Sequence, residues 1–388
     1  MHGKDFKMEK YCIFSAQYLP SFGGVEQYTY NLSNKLVEQG NEVIIVTSTI
    51  ANLPFEETQD NGVKIFRIPS YNFLNGRLPF AYPSAVWKAL KKKLAAEDIS
   101  RIIIQTRLYT LSIMGMKFAQ KQHIPCITIE HGTSYVGMSN PLIQTGEILY
   151  EKLLLFFAKK YCKHFCTVSQ AGAQWLTHLN LTSEQVLYNS VNEETIKSYL
   201  SESTKNWRQI TGISEDTKII TFTGRLIREK GILQLIDSVK ALQDKYNVAL
   251  LVAGDGPLYE DLSKQQYSNI FLLGRLDQKD VMSLLKQSDF FCLPSDSEGF
   301  PTSVLEAIIC KCYVITAPYG GAKEIVSSEE YGYVMQDNTL ETIISTLECV
   351  LQKSPEEICQ TTDNAYNHFL SGFTWNHTCN ALEALSWK

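Results

Sequence analysis

Short apolar runs alternate with stretches of helical periodicity along nearly the whole chain, and they do so in two successive sets. In the first set, residues 10–16, 42–47, 63–68, 102–105, 125–130 and 164–168 read as strands. Between the first two, Gly23-Gly24 precedes Val25, Tyr28, Leu32 and Leu36 at helical spacing, and Gly40 stops the helix. The second set reads as strands at 218–223, 248–253, 270–273, 290–293 and 313–316, again with helices between them. Alternation of this kind predicts parallel sheets covered on both faces. Two sets in succession predict an α/β chain of two Rossmann-like domains facing each other across a cleft, with ligands at the C-terminal ends of the strands. A polar stretch at 187–192 marks the expected boundary, giving an N-terminal domain over 1–187 and a C-terminal domain over 188–373.

A length of 388 residues allows each half its own core. Net charge is −5, from 36 basic and 41 acidic residues, so no nucleic-acid partner is expected. No apolar run reaches the roughly 18 residues that span a bilayer. The N-terminus is polar and lacks a signal-peptide core, with Met8 as an alternative start, so the expected location is the cytoplasm. Of the ten cysteines, Cys12, Cys126 and Cys292 sit in apolar runs, where cysteine behaves as a small hydrophobe. Cys162 and Cys166, like Cys310 and Cys312, are close pairs without the paired spacing of a zinc site, and all ten are read as reduced. No Asp-x-Asp pair exists to hold a divalent ion against a diphosphate. No metal and no cofactor are expected.

Charged and glycine-rich residues collect where the strands end. The stretch Pro294-Ser-Asp-Ser-Glu-Gly-Phe-Pro-Thr-Ser-Val-Leu-Glu306 follows the strand 290–293 and opens a helix read as 304–310, with Thr302 or Ser303 as its N-cap. That geometry aims backbone N–H groups and the positive helix end at one point, between the carboxylates Glu298 and Glu306, which suits a ligand bearing phosphate and sugar hydroxyls. A capping box, with Glu306 folded onto the N-cap amide, is the alternative. Arg225 and Lys230 flank another helix entry, where together they would neutralise a diphosphate or, alternatively, pair with Glu229 at the surface. Gly23-Gly24 allows close backbone approach to phosphate, or serves as a simple turn. Gly254-Asp-Gly256 matches part of a dinucleotide fingerprint, but Tyr259 stands at its third glycine position. His131 ends the strand 125–130, either as a structural residue or as a contact to sugar hydroxyls or a developing positive sugar.

Taken in order, Gly23-Gly-Val-Glu26, Val168-Ser169, Tyr188-Asn-Ser-Val-Asn192, Thr223-Gly-Arg-Leu-x-x-Glu-Lys-Gly231, Gly254-Asp-Gly-Pro257 and Pro294-Ser-x-x-Glu-Gly-Phe-Pro301 with Glu306 resemble the family 4 glycosyltransferases over nearly the whole chain. The resemblance implies a GT-B fold and a retaining, metal-independent transferase that moves a sugar from a nucleotide-diphosphate donor to an acceptor hydroxyl. It implies that Arg225 and Lys230 stabilise the leaving diphosphate, assisted by the amides of Gly23 and Gly24. Glu306 would bind the ribose, Glu298 and the amides of Gly299, Phe300 and Pro301 the donor sugar, and the amides of Ser303 and Val304 a phosphate. The loop Gly274-Arg275-Leu276 would lie against the base, and His131 near the anomeric carbon. Residues 374–388 look like the segment that crosses back to the first domain. Asn192, where aspartate is common, and Ser190, where glycine is usual, are the departures. UDP is the first expectation for the nucleotide and GDP the second.

The acceptor side is read from the first domain. Val86, Leu90 and Leu94 share one helical face, with Trp87, Lys88 and Lys91 to Lys93 around it. Such a helix suits either an anionic membrane surface or packing on the sheet. Residues 150–166 read as another apolar helix, with Lys159, Lys160 and Lys163 at its C-terminus. Segments 75–80 and 132–140 are the candidates for acceptor contacts. The expected acceptor is a saccharide or lipid-linked saccharide in bacterial surface-polysaccharide assembly, reached from the inner face of the cell membrane. A nucleotide-sugar 2-epimerase and an inactive sugar-nucleotide-binding subunit share the fold, but Arg225 and Lys230 with Glu298 and Glu306 favour transfer.

Overall fold

The computed structural model describes residues 8–21, 23–49, 53–73, 78–135 and 141–387, with the backbone alone over 141–144. The chain divides into two compact units, one of residues 1–188 with 375–388 and one of 189–374.

In the first unit the strands are β1 (Lys10–Ser15), β2 (Glu42–Ser48), β3 (Glu56–Thr58), β4 (Lys64–Ile68), β5 (Ser70–Phe73), β6 (Leu78–Ala81), β7 (Arg101–Gln105), β8 (Cys126–Glu130), β9 (His164–Thr167) and β10 (Ser183–Val186). The main sheet runs β10-β9-β8-β7-β1-β2-β4-β3. Only β3 is antiparallel to its neighbour there. A separate antiparallel hairpin joins β5 to β6. Helices α1 (Gly24–Glu38), α2 (Ala85–Ala96), α3 (Thr110–Gln122) and α4 (Pro141–Tyr161) connect the strands. Ile13 and Phe14 of β1 and Ile102, Ile103 and Ile104 of β7 are fully buried, as strands covered on both faces require. Each such side chain contributes about 1.5–3 kcal/mol.

α4 ends at Tyr161, not at the expected 166, because Phe165 and Cys166 are buried in β9, where they pair with Thr128 and Ile129 of β8. Lys163 therefore lies between helix and strand, while Lys159 and Lys160 occupy the last helical turn. Of the acceptor segments, 75–77 and 136–140 fall outside the described residues; 78–80 belong to β6. The helix Trp375–Ala384 belongs to this unit. Trp375 packs edge-on against Tyr28 at 5.2 Å, and Thr378 Oγ1 donates to the Tyr188 carbonyl at 2.7 Å.

The second unit holds an all-parallel sheet in the order β13-β12-β11-β14-β15-β16, from β11 (Lys218–Thr223), β12 (Val248–Ala253), β13 (Ile270–Gly274), β14 (Phe290–Leu293), β15 (Tyr313–Thr316) and β16 (Tyr333–Val334). Every residue of β12, β14 and β15 is buried. The two sequence departures resolve locally. Asn192 caps the helix Glu193–Glu202 by accepting from the Thr195 amide at 3.0 Å, a task aspartate performs equally. Buried Ser190 donates its hydroxyl to the Phe373 carbonyl.

Candidate active site

In the second unit, β11 is where the strand order reverses: β12 and β13 lie to one side, β14 to β16 to the other. A crevice opens outside the C-terminal ends of strands at such a reversal. Lys230, in the short 3-10 turn Arg228–Lys230 after β11, extends Nζ to 2.6 Å from Oε1 of Glu298, which follows β14. The side chains are 26% and 10% exposed, so the pair is screened far less than a surface ion pair. Backbone joins the same two loops: the Asp296 amide and Ser295 Oγ both donate to the Glu229 carbonyl, at 2.8 and 3.1 Å.

Glycines make this convergence sterically possible. A Cβ on Gly254, after β12, would fall 1.8 Å from the Gly224 carbonyl oxygen. Gly320, after β15, sits at φ +61°, and a Cβ there would fall 1.7 Å from the Glu298 carbonyl oxygen. The next amide, of Gly321, donates to the Gly299 carbonyl at 3.2 Å.

The helix after Glu298 runs Thr302–Ile309, and its N-cap is Pro301. Neither Thr302 nor Ser303 caps it, because the proline ring fixes φ at −77° and turns the chain into the helix directly. The capping box therefore does not form, and Glu306 lies in the body of the helix. Its carboxyl is half-buried, meets no cation among the described residues, and is lifted by burial to about 7. Pro301 has no N–H and offers a ligand no amide, and the Val304 amide already donates to the Pro301 carbonyl at 3.2 Å. The amides of Thr302 and Ser303 stand in the same first turn, where a helix offers them no intrahelical acceptor. Phe300 is buried against Phe373 at 5.6 Å, so its ring packs the loop in place. Arg225 is exposed and unpaired among the described residues. Arg275, also exposed, follows β13, two strands and so about 10 Å from β11.

In the first unit the order reverses between β1 and β7. Gly23 is the extended N-cap of α1, and both Gly23 and Gly24 are exposed. Glu26 folds back over this helix start, its Oε2 2.4 Å from where a Gly23 Cβ would stand. Burial raises the Glu26 carboxyl, and the positive helix end favours an acid there. His131, just past β8, places Nε2 2.7 Å from Gln105 Oε1 and stands edge-on to Tyr28 at 4.8 Å. Burial lowers its imidazole to about 3, so the ring is neutral at working pH. Beside it, Arg107 Nη1 donates to Glu130 Oε2 at 2.6 Å and Nη2 lies 3.3 Å from Glu151 Oε2, all three residues buried. The Arg107 amide also donates to Glu130, at 2.7 Å. This cluster locks the ends of β7 and β8, hence Gln105 and His131, to α4.

Residues 22–195 match the family model Glycosyltransferase Family 4, and residues 203–368 match Glycosyl transferases group 1. The putative teichuronic acid biosynthesis glycosyltransferase TuaC of Bacillus subtilis is 32% identical over 289 residues, 70% of this chain and 67% of that one. The chain belongs to the family 4 glycosyltransferases. A second relative of this glycosyltransferase, the phosphatidylinositol N-acetylglucosaminyltransferase GPI3 subunit of Saccharomyces cerevisiae, is 25% identical over 350 residues, 88% of this chain and 74% of that one. Among solved structures, Anabaena HepE in complex with UDP-glucose superposes with a TM-score of 0.73 at 16% identity, covering 97% of this chain and all of that one. The two-domain α/β architecture is the GT-B fold.

Within the second unit of this glycosyltransferase, Lys230, Glu298, Gly299, Ser303 and Glu306 gather along one loop pair and one helix start. Arg225 shares the Lys230 loop; Gly23, Gly24 and His131 stand at strand ends of the first unit. Sequence reading missed Gly320-Gly321, although a glycine pair after an apolar strand is the same signal that singled out Gly23-Gly24. It also missed Gln105, Tyr28 and the Arg107 cluster; the one hint was a charged Glu130 closing an otherwise apolar strand.

Proposed function

We propose that this glycosyltransferase moves a sugar, with retention, from a UDP-sugar to a hydroxyl of a lipid-linked saccharide during cell-surface polysaccharide synthesis. The observation that carries the reading is the Lys230–Glu298 pair at the strand reversal of the second unit, 2.6 Å apart and beside a helix start with no side-chain cap. A diphosphate beside Glu298 alone would be repelled; Lys230 between them removes that penalty and leaves the carboxylate free to accept sugar hydroxyls. Arg225 adds a forked contact to the departing diphosphate, and the Ser303 amide adds a donor at the positive helix end. Two cations then take the part of a divalent ion, and no metal is required.

Glu306 holds the ribose hydroxyls, the amides of Gly299 and Phe300 the donor sugar, and the Arg275 loop the base. From the first unit, the Gly23 and Gly24 amides serve phosphate. Neutral His131, oriented by Gln105, offers a hydrogen-bonding ring to the reacting sugar without adding charge. The complex of HepE with UDP-glucose supports a uridine donor. The names of TuaC and the GPI3 subunit support a polysaccharide or lipid acceptor. No helix among the described residues is long and apolar enough to cross a membrane, and peripheral attachment to its inner face is part of the proposal. Incubation with UDP-, GDP- and ADP-sugars, a lipid-linked acceptor extract and a chelator tests it. Glycosylated acceptor of retained anomeric configuration, from UDP-sugar alone, is expected. Epimerised sugar, or donor bound and recovered unchanged, would overturn it.

A further inference from the structure

A cavity of about 650 Å³ opens on the first unit between α2, α3 and α4, and none of its lining residues is assigned to the transfer reaction. The volume lies inside the roughly 300–1,000 Å³ range of sites that enclose a small ligand. Trp87, Ile113, Met114, Phe118, Phe157 and Tyr161 give it apolar walls. Five lysines, Lys88, Lys91, Lys92, Lys117 and Lys121, stand among its lining residues, and no carboxylate does. None of the five pairs with an acid among the described residues, whereas neighbouring Lys93 is held by Glu56 at 2.6 Å. Lys91 lies 5.8 Å from the Trp87 ring centre, and Lys117 lies 5.7 Å from that of Tyr161, so aliphatic stem, charge and ring are already stacked. In a chain of net charge −5, this is a concentrated positive site with an oily interior.

The adjoining face of α4 extends the pattern. Leu149, Leu153 and Phe156 recur at helical spacing and are 70%, 53% and 63% exposed, beside Lys152, Lys159 and Lys160. Large apolar side chains left in water on one stripe mark a surface that is covered in use. Phe157 and Tyr161, stacked at 6.3 Å, sit on the neighbouring sector of the same helix and turn into the cavity.

We propose that this face docks on an anionic membrane leaflet and that the cavity takes one acyl chain of an anionic phospholipid, whose phosphate is held by the lysine rim. The complementarity is specific to an amphiphile: hydrocarbon matches the walls, and only an anion matches the rim. Lysine stems reach up from the apolar wall to a headgroup plane as interfacial residues do. The site stands apart from the donor reading, since none of its residues lies in the second unit, and binding is measurable without turnover.

The test uses the full chain with vesicles of phosphatidylcholine alone or with phosphatidylglycerol, the latter also with brominated acyl chains that quench nearby tryptophan. Binding is expected with phosphatidylglycerol only, falling with salt, and brominated chains should quench fluorescence. Replacing Lys88, Lys91 and Lys92 together by Glu should weaken binding at least a hundredfold, at about fivefold for each charge removed. Ala95→Phe, at the cavity lining, should abolish quenching by blocking chain entry while leaving charge-driven association in place. Trp87→Phe should remove most of the quenching signal. Equal binding to both vesicle types, or quenching that persists in Ala95→Phe, would overturn the proposal. So would a dimer in the absence of lipid that Phe156→Asp dissolves, since a second copy would then be what covers the face. UDP-sugar protection against thermal unfolding, measured on the same samples, reports separately on the second unit.

Discussion

A carboxyl with an unusual affinity for its proton gives the candidate site its most readable chemistry. Burial lifts Glu306 to about 7 from an ordinary 4.5. The folded state therefore holds this proton more tightly than the unfolded chain, and stability conferred by the neutral form is present below about 4.5 and lost as pH rises through about 7. The loss is at most about 3 kcal/mol, reduced by the solvent that reaches a half-buried group. In the proposed role the ionised carboxylate accepts ribose hydroxyls at both oxygens and more strongly than the neutral acid, so UDP-sugar affinity should rise by up to about tenfold between pH 6 and 8. In Glu306→Gln both pH dependences should vanish, by calorimetric titration and by thermal unfolding. An unchanged slope would assign the titration elsewhere. Arg107 supports a prediction of the opposite kind, on stability instead of binding. Arg107→Ala leaves Glu130 and Glu151 buried without their cation and should cost about 3–5 kcal/mol by denaturant unfolding of the first unit. A loss below about 1 kcal/mol would mean the cluster is not a lock.

Among the elements, legibility followed burial. β11, β12, β14 and β15 were readable almost to the residue, because parallel strands covered on both faces leave largely apolar runs, ended by Gly224, Gly254, Pro294 and Ala317-Pro318. β3, β10 and β16 have no fully buried residue, and β5 is largely exposed. Such segments become strands by pairing with a neighbour, a fact no local pattern carries. The candidate site divides likewise: Lys230 and Glu298 announced themselves by position after strands, whereas Arg107, Glu130 and Glu151 meet only through the fold. The helix start after Glu298 was misplaced because serine and threonine signal caps more loudly than the proline that does the capping. At loop scale, Gly320 is the sharpest test. Gly320→Ala adds a methyl group into the Glu298 backbone at a left-handed position, and should cost about 1–3 kcal/mol and lower turnover at least tenfold. Wild-type turnover in this variant would show that the loop carrying Glu298 tolerates displacement.

For the whole molecule, each unit carries a largely parallel sheet in which the strand order reverses beside its first strand, and in each the residues of interest stand at C-terminal strand ends at or within two strands of that reversal. The second unit gathers cations, open amides and two acids, a set suited to a sugar diphosphate. The first offers a neutral histidine held by Gln105 and, on its α2–α4 face, a lysine-rimmed apolar cavity. The proposed division of labour is a donor unit and a unit that meets both acceptor and membrane. Its central claim is that Lys230 and its surroundings bind and stabilise a leaving diphosphate. The most direct measurement is turnover of UDP-sugar in a chelator for wild type and Lys230→Ala, with UDP affinity measured alongside. A fall of about 100- to 1,000-fold in turnover, with the fold intact by circular dichroism, is predicted. Turnover and affinity both at wild-type level in Lys230→Ala would contradict the assignment.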